Sequence, residues 1–265
     1  MEWIDEFYSY GVLEKITKEQ EELLEKNAPS ELFQYRSGNE YDLENIKNGV
    51  IWLSAVKKFN DPFDCDFCIQ EYEEYVKEAS GFSNIKFEDA AKKIKEDILE
   101  FRNSVAISCL SRISDSILMW SHYANHHQGF CLCYDINDLI SLGKILLPVW
   151  YRGEKVRPFI KNGKILALNN RIKEIYVQKS EIWDYEEEWR LIEPIAENNF
   201  ERLSFLRAND GVKVKGIYPK KIILGAKIIP EKLEKDVLEI ANKKGIPVSK
   251  MYMCENTYTL FEKPI

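Results

Sequence analysis

Two carboxylates two residues apart, Glu186 and Glu188, stand in the run Tyr185-Glu186-Glu187-Glu188-Trp189-Arg190. Read as a strand, the run puts Glu186, Glu188, Arg190 and Ile192 on one side and Glu187, Trp189 and Leu191 on the other. Like charges aimed the same way into a core need counter-charges or a task in proton transfer or cation stabilisation. The structural account of them is ion pairing, of Glu188 with Arg36 or Arg190. A second acidic set, Asp61, Asp64 and Asp66, lies in and behind Phe59-Asn60-Asp61-Pro62-Phe63-Asp64. Asn60 and Asp61 before Pro62 signal a turn, because their side chains bond nearby backbone and Pro fixes the next φ. Phe59 and Phe63 are expected to pin this turn to the core; the structural account makes its carboxylates backbone caps. Both segments are polar and buttressed by aromatics, so they are expected side by side in one site. There Arg36 and Glu188 are expected to face one pocket, Arg36 gripping an anion and Glu188 holding a sugar hydroxyl or a cation.

Other candidate chemistry is weaker. All three His of the chain fall in Met119-Trp120-Ser121-His122-Tyr123-Ala124-Asn125-His126-His127. On a helix His122 and His126 would share a face. The zinc-protease pattern requires Glu directly after the first His, and Tyr123 stands there. Cys65 and Cys68, and Cys131 and Cys133, are read as reduced packing residues that bind no metal and form no disulfide.

These residues must be carried by elements that periodicity locates. Residues 1–30 are acidic and helical, with a capping box from Thr17 to Gln20, and form a docking helix or N-terminal appendage. Residues 32–36 read as a first strand. Residues 39–48 read as a short helix with Tyr41, Leu43 and Ile46 inward, stopped by Gly49. A second strand is expected at 51–54. A helical insertion at 71–102 contains an amphipathic stretch through Ala90, Ile94 and Ile98. Further strands are expected at 105–111, 129–135, 145–151, 221–225, 248–254 and 258–261, with helices at 165–177 and 231–244. The fold class is α+β: residues 31–265 form a single domain, with a central split or mixed β-sheet and flanking helices.

Composition sets outer limits. The chain has 265 residues, 45% hydrophobic and 12% aromatic, enough for a sizeable core. A net charge of −7 argues against a globally basic nucleic-acid surface, though not against a local groove. No apolar run approaches a membrane span, and the six Cys show no disulfide framework. A reduced, cytoplasmic protein with no membrane partner is expected.

The chain resembles a bacterial family known as domain of unknown function 2971. The resemblance rests on Tyr35-Arg36, Trp52-Leu53-Ser54, Phe59 to Asp64, Met119-Trp120-Ser121-His122-Tyr123, Gly129-Phe130, Tyr185 to Arg190 and Gly225. A second, looser resemblance is to ADP-ribosyltransferase folds, through the order Arg36, short helix, Gly49, strand. That resemblance implies NAD held against a split sheet, by a small-molecule nucleotide site. It implies Arg36 on the phosphates or ribose, Ser54 or Ser108 in support, and the Glu186 to Glu188 pair on the ribose, with Glu188 as the key residue. On the chemistry of the residues themselves, Tyr35 or Tyr123 would stack on nicotinamide, and Asn60, Asp61, Asp64, Trp120 and Arg190 are further candidate ligand-binding residues. Whether the acceptor is nucleic acid or protein stays open; a role in stress, toxin or phage-defence biology is expected. Two other classes stay open. One is a metal-dependent phosphodiesterase or nuclease, with the Asp and Glu residues around Mg²⁺. The other is a non-enzymatic sensor domain, with Trp120, Tyr123, Trp183 and Trp189 lining a recognition pocket.

Overall fold

The computed structural model describes residues 2–11, 16–66, 92, 104–155, 160–161, 164–165, 172–194, 206 and 209–265. Among the described residues the helices are α1 (Glu2–Ser9), α2 (Lys18–Asn27), α3 (Glu40–Asn48), α4 (Ile117–Tyr123), α5 (Ile136–Ser141) and α6 (Lys235–Lys244). The strands are β1 (Glu31–Arg36), β2 (Val50–Ala55), β3 (Val105–Ser111), β4 (Phe130–Asp135), β5 (Ile145–Pro148), β6 (Trp150–Arg152), β7 (Ile160–Lys161), β8 (Lys164–Ile165), β9 (Gln178–Ser180), β10 (Glu188–Pro194), β11 (Gly211–Lys215), β12 (Lys221–Leu224), β13 (Val248–Met253) and β14 (Leu260–Pro264).

Ten strands form one mixed sheet. Its main path runs β11-β2-β3-β1-β4-β12-β13-β14, and β10 pairs with both β3 and β5. Only β12 and β13 pair in parallel within it. Its apolar face carries Leu32, Leu53, Leu110, Trp189 and Leu191, packed with Val237 and Ala241 of α6. The α+β class read from the sequence is the architecture observed.

The sheet splits at β3. Along its whole length β3 pairs with β10, from Val105 opposite Pro194 to Ser111 opposite Glu188. On its other side it pairs with β2 only at Ala106 and Ile107, and with β1 only at Ser111. Residues 108–110 therefore have a strand partner on one side alone, and β1 and β2 diverge around them.

Several local expectations hold. Thr17 caps α2 through the full capping box. Gly49 ends α3 in the left-handed conformation at φ 60, which glycine adopts without steric cost. The first helical segment does dock: Ile4, Phe7 and Tyr8 pack with Val56, Ile107 and Ile192 in a second core cluster.

Others are corrected. Tyr41 is 81% exposed rather than inward, so only Ile46 and, in part, Leu43 face the core from α3. Phe63 is exposed, and Phe59 alone pins the turn. The helix carrying the histidines ends at Tyr123, and Asn125, His126 and His127 all take positive φ. His122 and His126 therefore do not share a helical face. The strand expected at 145–151 breaks at Val149, whose N–H turns to the Glu188 carbonyl. The described part of the helix expected at 165–177 is β8 and a 3₁₀ turn at Ile172–Tyr176. The last strand begins at Leu260, not 258. The insertion at 71–102, with Ala90, Ile94 and Ile98, lies outside the described residues apart from Lys92, and so does Cys68.

Candidate functional site

The fork between β1 and β2 opens on a cavity of about 360 Å³. Its floor is β3 from Ile107 to Leu110, and its sides come from Tyr35 and Arg36 of β1 and Trp52 and Ser54 of β2. The turn after β2 contributes Phe59, Asn60 and Asp64, and α4 contributes His122 and Tyr123. Lys179, Glu186 and Glu188 complete the wall.

The turn forms as its sequence requires. Asp61 accepts the Phe63 N–H at 2.9 Å through its side chain, and its carbonyl accepts the Asp64 N–H at 3.2 Å. This aims Asp64 inward, where it is 3% exposed. The Glu-rich segment forms differently from the strand expected of it. Glu181–Glu186 is a 3₁₀ turn, Glu187 takes a left-handed φ of 42, and only then does β10 begin. The kink is held from β3: the Arg112 N–H bonds the Glu187 carbonyl at 3.1 Å, and the Ser111 hydroxyl bonds the Glu186 carbonyl at 2.6 Å. Glu186 and Glu188 converge because of this kink, not through strand alternation.

Their carboxylates meet in a cluster of charges almost sealed from water. Arg190 has no exposed surface. It donates from Nε to Glu188 Oε1 at 2.8 Å and from Nη2 to Asp64 Oδ2 at 2.7 Å. Its Nη1 bonds the Tyr176 carbonyl at 2.8 Å. Lys179 Nζ lies 2.9 Å from Glu188 Oε2 and 4.0 Å from Asp64, and it also pairs with Glu186 Oε2. The other oxygen of Glu186 accepts the Tyr123 hydroxyl at 2.6 Å, and Asn60 Nδ2 lies 3.4 Å from that hydroxyl. Three carboxylates thus share two cations. Outside the cluster, Trp183 lies under Lys179 at 5.1 Å, and the Tyr185 hydroxyl reaches His122 Nδ1 at 3.2 Å.

The two glutamates titrate in opposite directions. Burial pushes the Glu186 carboxyl above its ordinary value; Lys179 pulls it back and Glu188 adds to the rise. Burial also works against the charge on Glu188, but Arg190 and Lys179 outweigh it and hold that carboxyl far below the usual range. Lys179 is held above the usual lysine range against its own burial, by Glu188 and then Glu186. Burial and then Glu186 push the Tyr123 phenol upward. The surroundings thus push the two carboxyls apart, one down and one up, the kind of separation by which a pair of acids takes different roles.

Of the expected site residues, Arg36, Tyr35, Ser54, Ser108, Asn60, Asp64, Tyr123, Glu186 and Glu188 all border the cavity. Three do not. Asp61 is spent on the turn, Arg190 lies behind Glu188, and Trp120 is fully buried behind Tyr35, edge to face at 5.3 Å. Trp189 is buried as well, in the main core rather than in a recognition pocket. Tyr35 is 7% exposed and its hydroxyl bonds the Ile113 carbonyl at 2.8 Å, so its ring is a wall rather than a free stacking platform. Ser108 accepts a bond from Gln34 at 2.7 Å. Asp66 pairs with Lys155 at 2.6 Å and leaves the acidic set.

Arg36 does not pair with Glu188. Its Nε bonds Asp42 at 2.7 Å, and its Nη2 bonds the same carboxylate. Asp42 also accepts the N–H groups of Gly38 and Asn39 in the capping box of α3. The short helix after β1 thereby orients the arginine. Sequence reasoning missed Asp42, Trp52 and above all Lys179. The capping-box spacing from Asn39 to Asp42 could have found the first. Gln178-Lys179-Ser180 is too short to carry a period, so nothing local marks the last. Among the described residues no group of three or more His, Cys, Asp and Glu side chains is arranged to hold a metal ion. Cys65, Cys131 and Cys133 are buried free thiols.

Residues 119–191 match the model of a family described as protein of unknown function (DUF2971). The matched stretch holds Tyr123, Lys179, Glu186, Glu188 and Arg190, while Arg36 and the turn at Phe59 to Asp64 lie outside it. No curated protein and no solved structure gives a significant match to the chain. Over 119–191 the chain is similar to that family.

Proposed function

We propose that the cavity binds a dinucleotide of the NAD class and that the chain transfers its ADP-ribosyl group to an acceptor. The observation that carries this reading is the split carboxylate pair, Glu186 and Glu188, opening on the fork of the sheet across from Arg36. When the bond from the ribose carbon to nicotinamide nitrogen breaks, the electron pair leaves with nicotinamide and the sugar becomes an oxocarbenium ion. Glu188, whose charge Arg190 and Lys179 hold in place, supplies a fixed negative charge for that ion. Glu186, whose carboxyl burial has raised, takes the proton that the acceptor loses as it bonds the sugar carbon. Arg36, oriented by Asp42, offers its guanidinium to phosphate. Cavities of this size suit part of such a ligand. The metal-dependent alternative has less support, because Lys179 and Arg190 occupy the space among Asp64, Glu186 and Glu188 that a divalent ion would need.

The test compares wild type with Glu186→Gln, by thermal shift with NAD and by nicotinamide release with candidate protein and nucleic-acid acceptors. NAD is expected to raise the melting temperature of both proteins. Release by Glu186→Gln is expected to fall roughly 10²–10⁴-fold, the scale of lost general base catalysis. A wild-type melting temperature indifferent to NAD overturns the reading. A stabilising response without release in either protein would favour the sensor function instead.

A further inference from the structure

We infer that Lys179 is the positioning residue that keeps Glu186 and Glu188 two distinct acids instead of a pair sharing one proton. Its Nζ lies between them, bonded to Glu186 Oε2 and 2.9 Å from Glu188 Oε2. The backbone fixes that placement. Lys179 is the middle residue of β9, in register with Tyr151 of β6. The Tyr151 hydroxyl accepts the backbone N–H of Glu188 at 2.8 Å. One short parallel pairing thus sets both the lysine and the start of β10. Trp183 lies against the ammonium at 5.1 Å, and Lys179 is 8% exposed. A lysine so enclosed cannot swing to solvent without stranding Glu186 and taking one of two cations from Glu188.

The asymmetry of its surroundings explains why the two acids differ. Glu188 shares Lys179 and also holds Arg190 through both oxygens, at 2.8 and 3.3 Å. Glu186 has Lys179 as its only cation among the described residues, with the neutral Tyr123 hydroxyl on its second oxygen. The other charged or titratable groups around the pair come from every neighbouring element. They are Asp64 and Cys65 from the turn, Cys109 from β3, His122 from α4, Tyr151 from β6 and Tyr185 from the 3₁₀ turn. None of these is a permanent cation, and the further cations that line the cavity, Arg36 and Lys58, are paired with Asp42 and Asp210. Lys179 is therefore the group whose loss would leave Glu186 facing the Glu188 charge with nothing between them.

The inference rests on the transferase reading for the reaction it serves, but its test requires no substrate. Carboxyl titrations followed by ¹³C NMR, with the Glu186 signal assigned through Glu186→Gln, would compare wild type, Lys179→Met and Glu188→Gln. In Lys179→Met the Glu186 carboxyl is expected to titrate at least about one pH unit higher, the usual effect of removing a cation in contact. In Glu188→Gln it is expected to titrate about one unit lower, since the like charge is gone and Lys179 serves Glu186 alone. An unmoved Glu186 titration in folded Lys179→Met overturns the inference. If Lys179→Met does not fold, Lys179→Gln, which keeps a polar group between the carboxylates without the charge, decides: an upward shift of Glu186 supports the role and an unmoved titration overturns it. Indifference to NAD would overturn the transferase reading without touching these titrations.

Discussion

Arg190 shows how the cost of a single substitution depends on what it strands. The guanidinium is fully buried, and Asp64 and Glu188 are its two carboxylate partners. Asp64→Asn leaves a buried cation with one partner fewer and is expected to cost roughly 3–5 kcal/mol, because an uncompensated charge cannot reach water. Asp61→Ala, three residues earlier, removes one side-chain bond to a backbone N–H and should cost about 1 kcal/mol. Urea denaturation of both variants checks the contrast; equal losses would mean that the cluster is not electrostatically tight. At this scale the sequence was informative where the signal was local. Asn60-Asp61-Pro62 announced a turn, and the two glutamates announced charge that needed partners. It was silent about which cations would come, since Lys179 arrives from a three-residue strand and Asp42 takes Arg36 away from Glu188.

Among the elements, the junction from the 3₁₀ turn to β10 is the one whose backbone is unusual. Glu187 holds φ 42, a region that favours glycine. Glu187→Gly is expected to keep the fold with stability within about 1 kcal/mol of wild type. Glu187→Val should lose about 1–3 kcal/mol, because a β-branched residue resists that conformation. Thermal unfolding of the pair is the measurement; a valine variant as stable as the glycine variant would show that the kink relaxes. The junction also explains what remained illegible at this scale. Alternation puts Trp189 and Leu191 on one side of the strand together, and both lie in the main core; but no residue near Glu187 signals a turn, so a strand read from Glu186 starts two residues early. The left-handed residue is imposed by β3, through Ser111 and Arg112. Long-range pairing of that kind leaves no local pattern. β11 leaves no local pattern for a related reason: its five residues are defined by pairing to β2, with Gly211 opposite Ser54, 157 residues earlier in the chain (211 − 54).

For the whole molecule, the buried ionisable groups set the pH range of stability. The Glu188 carboxyl is lowered in the folded state. Its contribution is therefore complete above the unfolded value near 4.3 and is lost as pH falls toward the folded value. Glu186 is raised, so its contribution runs the other way: it is present in acid and lost as pH rises through the unfolded and then the folded value. The lowering of Glu188 is the larger of the two shifts, so stability should also fall on the acid side, below the unfolded carboxylate value. On the alkaline side they are joined by groups that all act in one direction. Lys179 is raised by its carboxylates against burial. Burial raises the phenols of Tyr8, Tyr35, Tyr134 and Tyr151. Stability from these is present below their unfolded values near 10 and is lost as pH climbs through the folded ones. A melting curve recorded against pH should be nearly flat between about pH 6 and 9 and fall steeply above about 10. A flat alkaline limb would contradict these assignments.

The thiol of Cys109 stands on the floor of the fork and is exposed there, while Cys65, Cys131 and Cys133 are sealed. It can serve as a built-in reporter of whether the cavity is filled. Its surface opens only on the cavity, so the protein around it still keeps water from the thiol; that desolvation and then Glu188 raise it, and it should react slowly with a small alkylating reagent, since the thiolate is the reactive form. Cys254, at the far end of β13, has a lowered thiol value through bonds from Thr257 and Asn256 and should react faster. Peptide mapping after timed alkylation reads both at once. A molecule seated in the fork should slow labelling at Cys109 several-fold and leave Cys254 unchanged, so one cysteine records occupancy while the other keeps time.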